Sequence, residues 1–212
     1  MPKPAFIIDG FMEKLVLQHL CPDHPIRRIG CNGRDAPMAT VARFIEKQLR
    51  VLDRAYYPAV ILLDREERRE TADDLIAALT RELNDRGFTG RFIIGMPDRM
   101  IENWIMADPD CVCRHGARPY RYSCEGEKGK SRIKQALGRK FGYHETTSGV
   151  TLFLDTNPKA IYSNSLSFRK FVDGLPMTAL GCVRSVHPSL PELGRTVRHS
   201  PHFSLTQRSS FQ

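Results

Sequence analysis

Ala59-Val60-Ile61-Leu62-Leu63 runs straight into Asp64-Arg65-Glu66, and nearer the start Ala5-Phe6-Ile7-Ile8 runs into Asp9-Gly10. Each apolar run is too short for a helix and rich in β-branched and large aliphatic residues. Such runs read as strands buried on both faces, as the strands of parallel sheets are. Ligands of open parallel α/β sheets bind in the crevice outside the carboxyl ends of the strands. Asp9, Asp64 and Glu66 fall at those ends. Carboxylates gathered there repel one another, and a divalent cation relieves the repulsion.

Outward from these strands, helical and extended patterns alternate. Glu13 to Leu20 reads as a helix with Leu15, Val16 and Leu20 inward, and Ile26 to Cys31 as a strand closed by the polar turn Asn32-Gly33-Arg34-Asp35. Val41, Phe44, Ile45, Leu49 and Leu52 form a stripe at helical spacing. Thr71 with Asp74 makes a capping box for a helix that buries Leu75, Ile76, Leu79 and Leu83 and leaves at Gly87. Arg91 to Met96 reads as a strand stopped by Pro97, and Met100, Ile101, Trp104 and Ile105 line a short helix ending before Pro109. Strand–helix alternation of this kind predicts an α/β fold, a parallel sheet with right-handed crossovers and flanking helices.

Beyond that unit the pattern changes. Pro109 to Glu127 reads as irregular and basic, Lys130 to Phe141 as a helix, and Ser165 to Leu175 as a last helix packed through Phe168, Phe171 and Val172. Val150 to Leu154 fits either a strand or a helix start. From Ser185 onward, prolines, serines and arginines dominate without periodicity. The expected organisation is an α/β domain over 1–108, a basic, mainly helical extension over 109–180, and a poorly ordered tail over 181–212.

The 212 residues are 41% hydrophobic and 26% charged, an ordinary globular balance. No apolar stretch approaches the roughly 20 residues of a membrane span, and the N-terminus shows no signal-peptide pattern, so a cytoplasmic protein is expected. The net charge of +8 is concentrated between Arg114 and Lys140, where nine basic residues face Glu125 and Glu127. Arg118, Arg121, Lys128, Lys130, Arg132 and Lys134, with Tyr120 and Tyr122 among them, suit a phosphate backbone and an unstacked base. A solvated basic face is the plainer reading.

Six cysteines without an export signal read as free thiols. Cys111, Cys113, His115 and Cys124 offer four soft zinc ligands, but the one-residue gap is not the usual knuckle spacing. Gly129-Lys130-Ser131 ends like a phosphate-binding loop, yet the earlier glycine position holds Cys124 and no buried strand precedes it.

Asp9-Gly10 with Glu13-Lys14, followed by Asp64-Arg65-Glu66, resembles the Toprim signature of topoisomerases, primases and certain nucleases. Ile101-Glu102-Asn103-Trp104-Ile105-Met106-Ala107-Asp108, and the Ser-x-Ser-Phe-Arg-Lys-Phe pattern within Ser163 to Phe171, resemble a Toprim-like family of uncharacterised bacterial proteins. Aspartate at Asp9 and glutamate at Glu66 depart from the family pattern, and His144-Glu145 stands where a lysine is expected. The resemblance implies a Toprim-like sheet, with Mg²⁺ or Mn²⁺ on Asp9, Asp64, Glu66 and Glu102, and Asp9, Glu13, Asp64 and Glu66 serving catalysis. It implies a divalent-metal-dependent nuclease acting on DNA or RNA, working in anti-phage defence beside an SMC/OLD-type ATPase. The alternatives are a catalytically inactive nucleic-acid-binding subunit of such a system, and a doubly wound small-molecule hydrolase whose acids only cap helices.

Overall fold

Among the described residues four strands, all parallel, form one sheet in the order β2-β1-β3-β4. The strands are β1 (Lys3–Ile8), β2 (Ile26–Arg28), β3 (Tyr56–Leu62) and β4 (Phe92–Gly95). Between them run α1 (Phe11–Leu20), α2 (Met38–Leu52) and α3 (Ala72–Asp85). After β4 come α4 (Glu102–Met106), α5 (Pro109–Arg114), α6 (Gly129–Leu137), a π-helical turn (Glu145–Gly149), α7 (Val150–Asp155), α8 (Pro158–Asn164) and α9 (Leu166–Gly174). This computed structural model describes residues 3–31, 36–52, 55–120, 123–138 and 142–176.

The apolar runs form the two central strands because both of their faces are covered. Ala5, Ile7, Ala59 and Ile61 pack against α2 and α3, through Val41, Ile45, Leu49, Leu75, Leu79 and Leu83. Phe6, Ile8, Val60 and Leu62 point the other way, against Met12, Val16 and Leu17 of α1, Trp104 of α4, and residues as distant as Ile133, Leu152, Ile161 and Phe168. The later helices therefore share a core with the sheet. No helix among the described residues is long and apolar enough to cross a membrane.

The chain leaves β1 for β2 on one side, and β3 joins β1 on the other. Strand order thus reverses between β1 and β3, the switch point at which parallel sheets open a crevice. Ile8 lies in register with Leu62, so Asp9 and Asp64 emerge side by side there.

Several expectations need correction. The second strand stops at Arg28, because the chain at Ile29 keeps only one ladder bond, to the Ile8 carbonyl at 2.9 Å. Pro109 to Glu127 is not wholly irregular: Asp108 caps α5 by accepting from the Cys111 amide, and Pro109 takes the first helical position. Val150 to Leu154 is helical, continuing the π-helical turn. The Thr71–Asp74 capping box is present, with both reciprocal bonds made. The turn 32–35, Arg121, Tyr122, residues 139–141 and the 181–212 tail lie outside the described residues.

Candidate functional site

Glu13 stands in the first turn of α1 and is only 4% exposed. Its carboxylate folds back over the end of β1: a Cβ on Gly10 would sit 2.8 Å from Glu13 Cδ. The glycine after Asp9 is the space that the Glu13 carboxylate fills. Burial, followed by the charges of Glu102, Asp9 and Glu145, pushes the Glu13 carboxyl up to about 7, against a bond from its own backbone amide.

Asp64 leaves β3 beside this group. Its Oδ1 is buried and has no hydrogen-bond partner. Burial holds its pKa well above the usual carboxylate range, and the charges of Glu13, Glu102, Glu66 and Asp9 push in the same direction. Glu102 opens α4, is 4% exposed, and accepts a bond from the Tyr143 hydroxyl at 3.0 Å. Its pKa is raised by burial and by Glu145, while its own amide, Tyr143 and Lys130 oppose the rise. Arg99, one turn earlier, donates to the Gly126 carbonyl at 2.7 Å.

Asp9 shares a small cleft with Asp64, Cys31, Arg68 and Met96. Burial raises its carboxyl, and Arg28 and Arg68 pull it back. The Arg68 guanidinium donates to the carbonyls of Asp64 and Arg65, at 3.3 and 3.1 Å. Arg65 turns away to Asp98, 2.8 Å from its Oδ1. Glu66 has left-handed backbone, φ 60°, and its amide donates at 2.6 Å to the carbonyl of Arg99, itself at φ 85°. Two strained non-glycine residues thus tie the loops after β3 and β4 at the crevice.

Of the sequence-derived acids, Asp64 feels the charges of the other four, Asp9, Glu13, Glu66 and Glu102, and Glu13 feels those of Asp9 and Glu102. Sequence reasoning assigned no role to Tyr143 or to Glu145, whose charge acts on Glu13 and Glu102. Neither lies in a periodic segment, so only the folded contacts reveal them. Burial and the neighbouring Glu102 raise the Tyr143 hydroxyl pKa strongly, keeping it a donor.

Among the described residues, no group of three His, Cys, Asp or Glu side chains is arranged to enclose a metal ion. An ion held wholly by protein does not fit this donor set. A hydrated Mg²⁺-class ion does, since it keeps several waters and needs only one or two carboxylates. The unpartnered buried oxygen of Asp64 is the donor that such an ion would satisfy.

The basic segment is less free than its composition suggests. Lys128 pairs with Glu67 at 2.7 Å, Arg132 with Glu127 at 3.0 Å, and Lys130 with Glu145. Arg118 and Lys134 are exposed. Tyr120 is half-buried against the core, with its hydroxyl 3.5 Å from the Met106 carbonyl. The zinc set is not assembled. Cys111 donates to the Leu152 carbonyl, Cys124 to that of Asn164, and His115 meets Asp155. The described cysteines are free, and burial pushes the Cys111 and Cys124 thiols up to about 12 and 11.

The two quoted motifs turn out to be scaffolding around Glu102. The Asn103 side-chain amide donates to the carbonyls of Cys124 and Glu127, at 2.6 and 2.9 Å. Trp104 donates to Ser167 Oγ at 2.9 Å and stacks on Phe171, with Phe168 edge-on. Ser165 and Ser167 both donate to Glu125, at 2.6 and 3.0 Å.

Neither the curated proteins nor the solved structures give a match to this chain. A family model does, over residues 9–176, which takes in the acidic crevice and the described helices after it. Its description is a domain of unknown function, DUF4276, and the chain belongs to that family.

Proposed function

We propose that this protein is a divalent-metal-dependent phosphodiester hydrolase of Toprim-like type that acts on nucleic acid. One observation carries the reading: Asp64 Oδ1 is buried without a partner among four further carboxylates. Leaving a buried acceptor unsatisfied, and like charges side by side, costs stability with no structural return. A bound cation removes both costs at once.

Asp64, with Asp9 beside it in the same cleft, would hold a hydrated Mg²⁺ or Mn²⁺, hard ions that prefer carboxylate oxygen, and the charges of Glu66 and Glu102 would add to the attraction. Such an ion, when bound, polarises a phosphoryl oxygen and lowers the pKa of an attacking water. Glu13, buried over the end of β1 beside these acids, is the group placed to accept and return a proton. Tyr143 fixes the Glu102 carboxylate by its hydrogen bond. Arg118, Lys134 and the paired cations of α6 steer and position the phosphate backbone. The resemblance to the Toprim-like family extends the proposal to a cytoplasmic role in phage defence with an SMC/OLD-type ATPase.

A second reading is a nucleic-acid-binding subunit without cleavage. The lack of a three-donor enclosure among the described residues favours it. Plasmid DNA and transfer RNA incubated with Mg²⁺, Mn²⁺ or EDTA separate the two. Hydrolysis supported by metal, abolished in Asp64→Asn and lowered about 100-fold or more in Glu13→Gln, with binding retained, is the outcome expected. Salt-sensitive binding with no cleavage under any metal establishes the second reading instead.

A further inference from the structure

Lys130 and Glu145 form an ion pair at the rim of the acidic crevice, their side chains 42% and 44% exposed. On its solvent side the pair is open. On its inner side it acts on the buried acids, because Glu145 pushes Glu13 and Glu102 up while Lys130 pulls Glu102 down. Both anchors are rigid. Lys130 is the second residue of α6, and a Cβ on its neighbour Gly129 would stand 2.7 Å from the Asn103 amide nitrogen. Glu145 opens the π-helical turn, where a Cβ on Gly149 would stand 3.1 Å from Met12 Sδ. Long side chains on fixed backbones can change partners without moving the fold.

In the paired state Glu145 neutralises the Lys130 ammonium, and the carboxylates of Glu13 and Glu102 lie behind the pair. A half-exposed ion pair is weak enough for a second anion to compete for the ammonium. π-Helical turns, moreover, recur at functional sites.

We propose that Lys130 takes a phosphate oxygen of the substrate by exchanging Glu145 for it, which withdraws the ammonium's pull on Glu102 and leaves the charge of Glu145 unopposed beside Glu13 and Glu102. The phosphodiester and the divalent cation then bind with positive coupling, each tightening the other by the same factor. This rests on the phosphodiester reading and adds to it the residue that senses the phosphate and the residue that reports its arrival.

The test is Mn²⁺ affinity by titration calorimetry, with and without excess dimethyl phosphate, on the full chain. The wild type is expected to bind Mn²⁺ about fivefold tighter or more with the diester present. Lys130→Ala frees Glu145 permanently, so its Mn²⁺ affinity is raised without diester and gains nothing from it. Glu145→Gln leaves the Lys130 ammonium unopposed beside Glu102, so without diester it binds Mn²⁺ more weakly than the wild type. Glu82→Gln, which removes one ion pair of Arg86 at the C-terminal end of α3, keeps the wild-type coupling. Circular dichroism identifies any variant that fails to fold, and Lys130→Met and Glu145→Ala then take its place. Mn²⁺ bound equally with and without diester by the wild type, or wild-type coupling that survives in Lys130→Ala, overturns the exchange and leaves the hydrolase reading standing. A wild type that binds no Mn²⁺ overturns both.

Discussion

Gly10 shows how a single missing side chain shapes the site. Its backbone, φ −87° and ψ 169°, suits any residue. What excludes a side chain is the Glu13 carboxylate lying where Cβ would be. Gly10→Ala is therefore expected to destabilise by about 1–3 kcal/mol through overpacking, and the cost should largely vanish in a Glu13→Ala background. Urea denaturation of the two single variants and the double variant measures this interaction directly. Equal costs in both backgrounds would place the strain elsewhere. At this scale Asp9, Asp64 and Glu66 were legible, because strand ends are readable and carboxylates there have a chemical reason. Tyr143 was not: its bond to Glu102 spans 41 residues and belongs to no periodic pattern.

Among the elements, α4 carries the most structure per residue. It is five residues long, too short to be stable alone, and is held by its side chains. Asn103 receives the Met100 amide at 3.1 Å and holds the 124–127 loop by two carbonyls. Asn103→Ala leaves those buried carbonyls unpaired, at a cost of about 1–3 kcal/mol per group. It should also raise amide hydrogen exchange selectively in residues 124–131, leaving α2 and α3 protected. Uniform protection across the chain would show that α6 does not depend on Asn103. α2 and α3 were legible from their apolar stripes, and the Thr71 cap was legible from spacing. α5 was missed although Asp108-Pro109 is a recognisable cap and first position, because its six residues show no stripe. The π-helical turn has no sequence signature of its own.

For the molecule as a whole, the buried acids make stability depend on pH. The folded state raises Glu13 from 4.5 to about 7, and raises Asp64 and Glu102 as well. A raised carboxyl means that the folded chain binds its proton more tightly than the unfolded chain does. The corresponding stability is present below about 4.5 and is lost as pH rises through about 7, on the order of 3 kcal/mol for Glu13. In EDTA, Tm is expected to fall between pH 4.5 and 8, and Mg²⁺ should restore it at the upper end. A flat profile in EDTA would mean that these carboxyls are not buried together. Differential scanning fluorimetry across that range reads both outcomes.

The reversal of strand order between β1 and β3 reaches further than this one chemistry. A slot at that position is a product of how the chain is routed, and no point substitution can close it. Changing residues 9, 13, 64 and 102 would rewrite the reaction, or silence it, on an unaltered frame. Descendants of such a protein can part company in what they do while remaining superimposable, so a shared shape within the family is no warrant for a shared task.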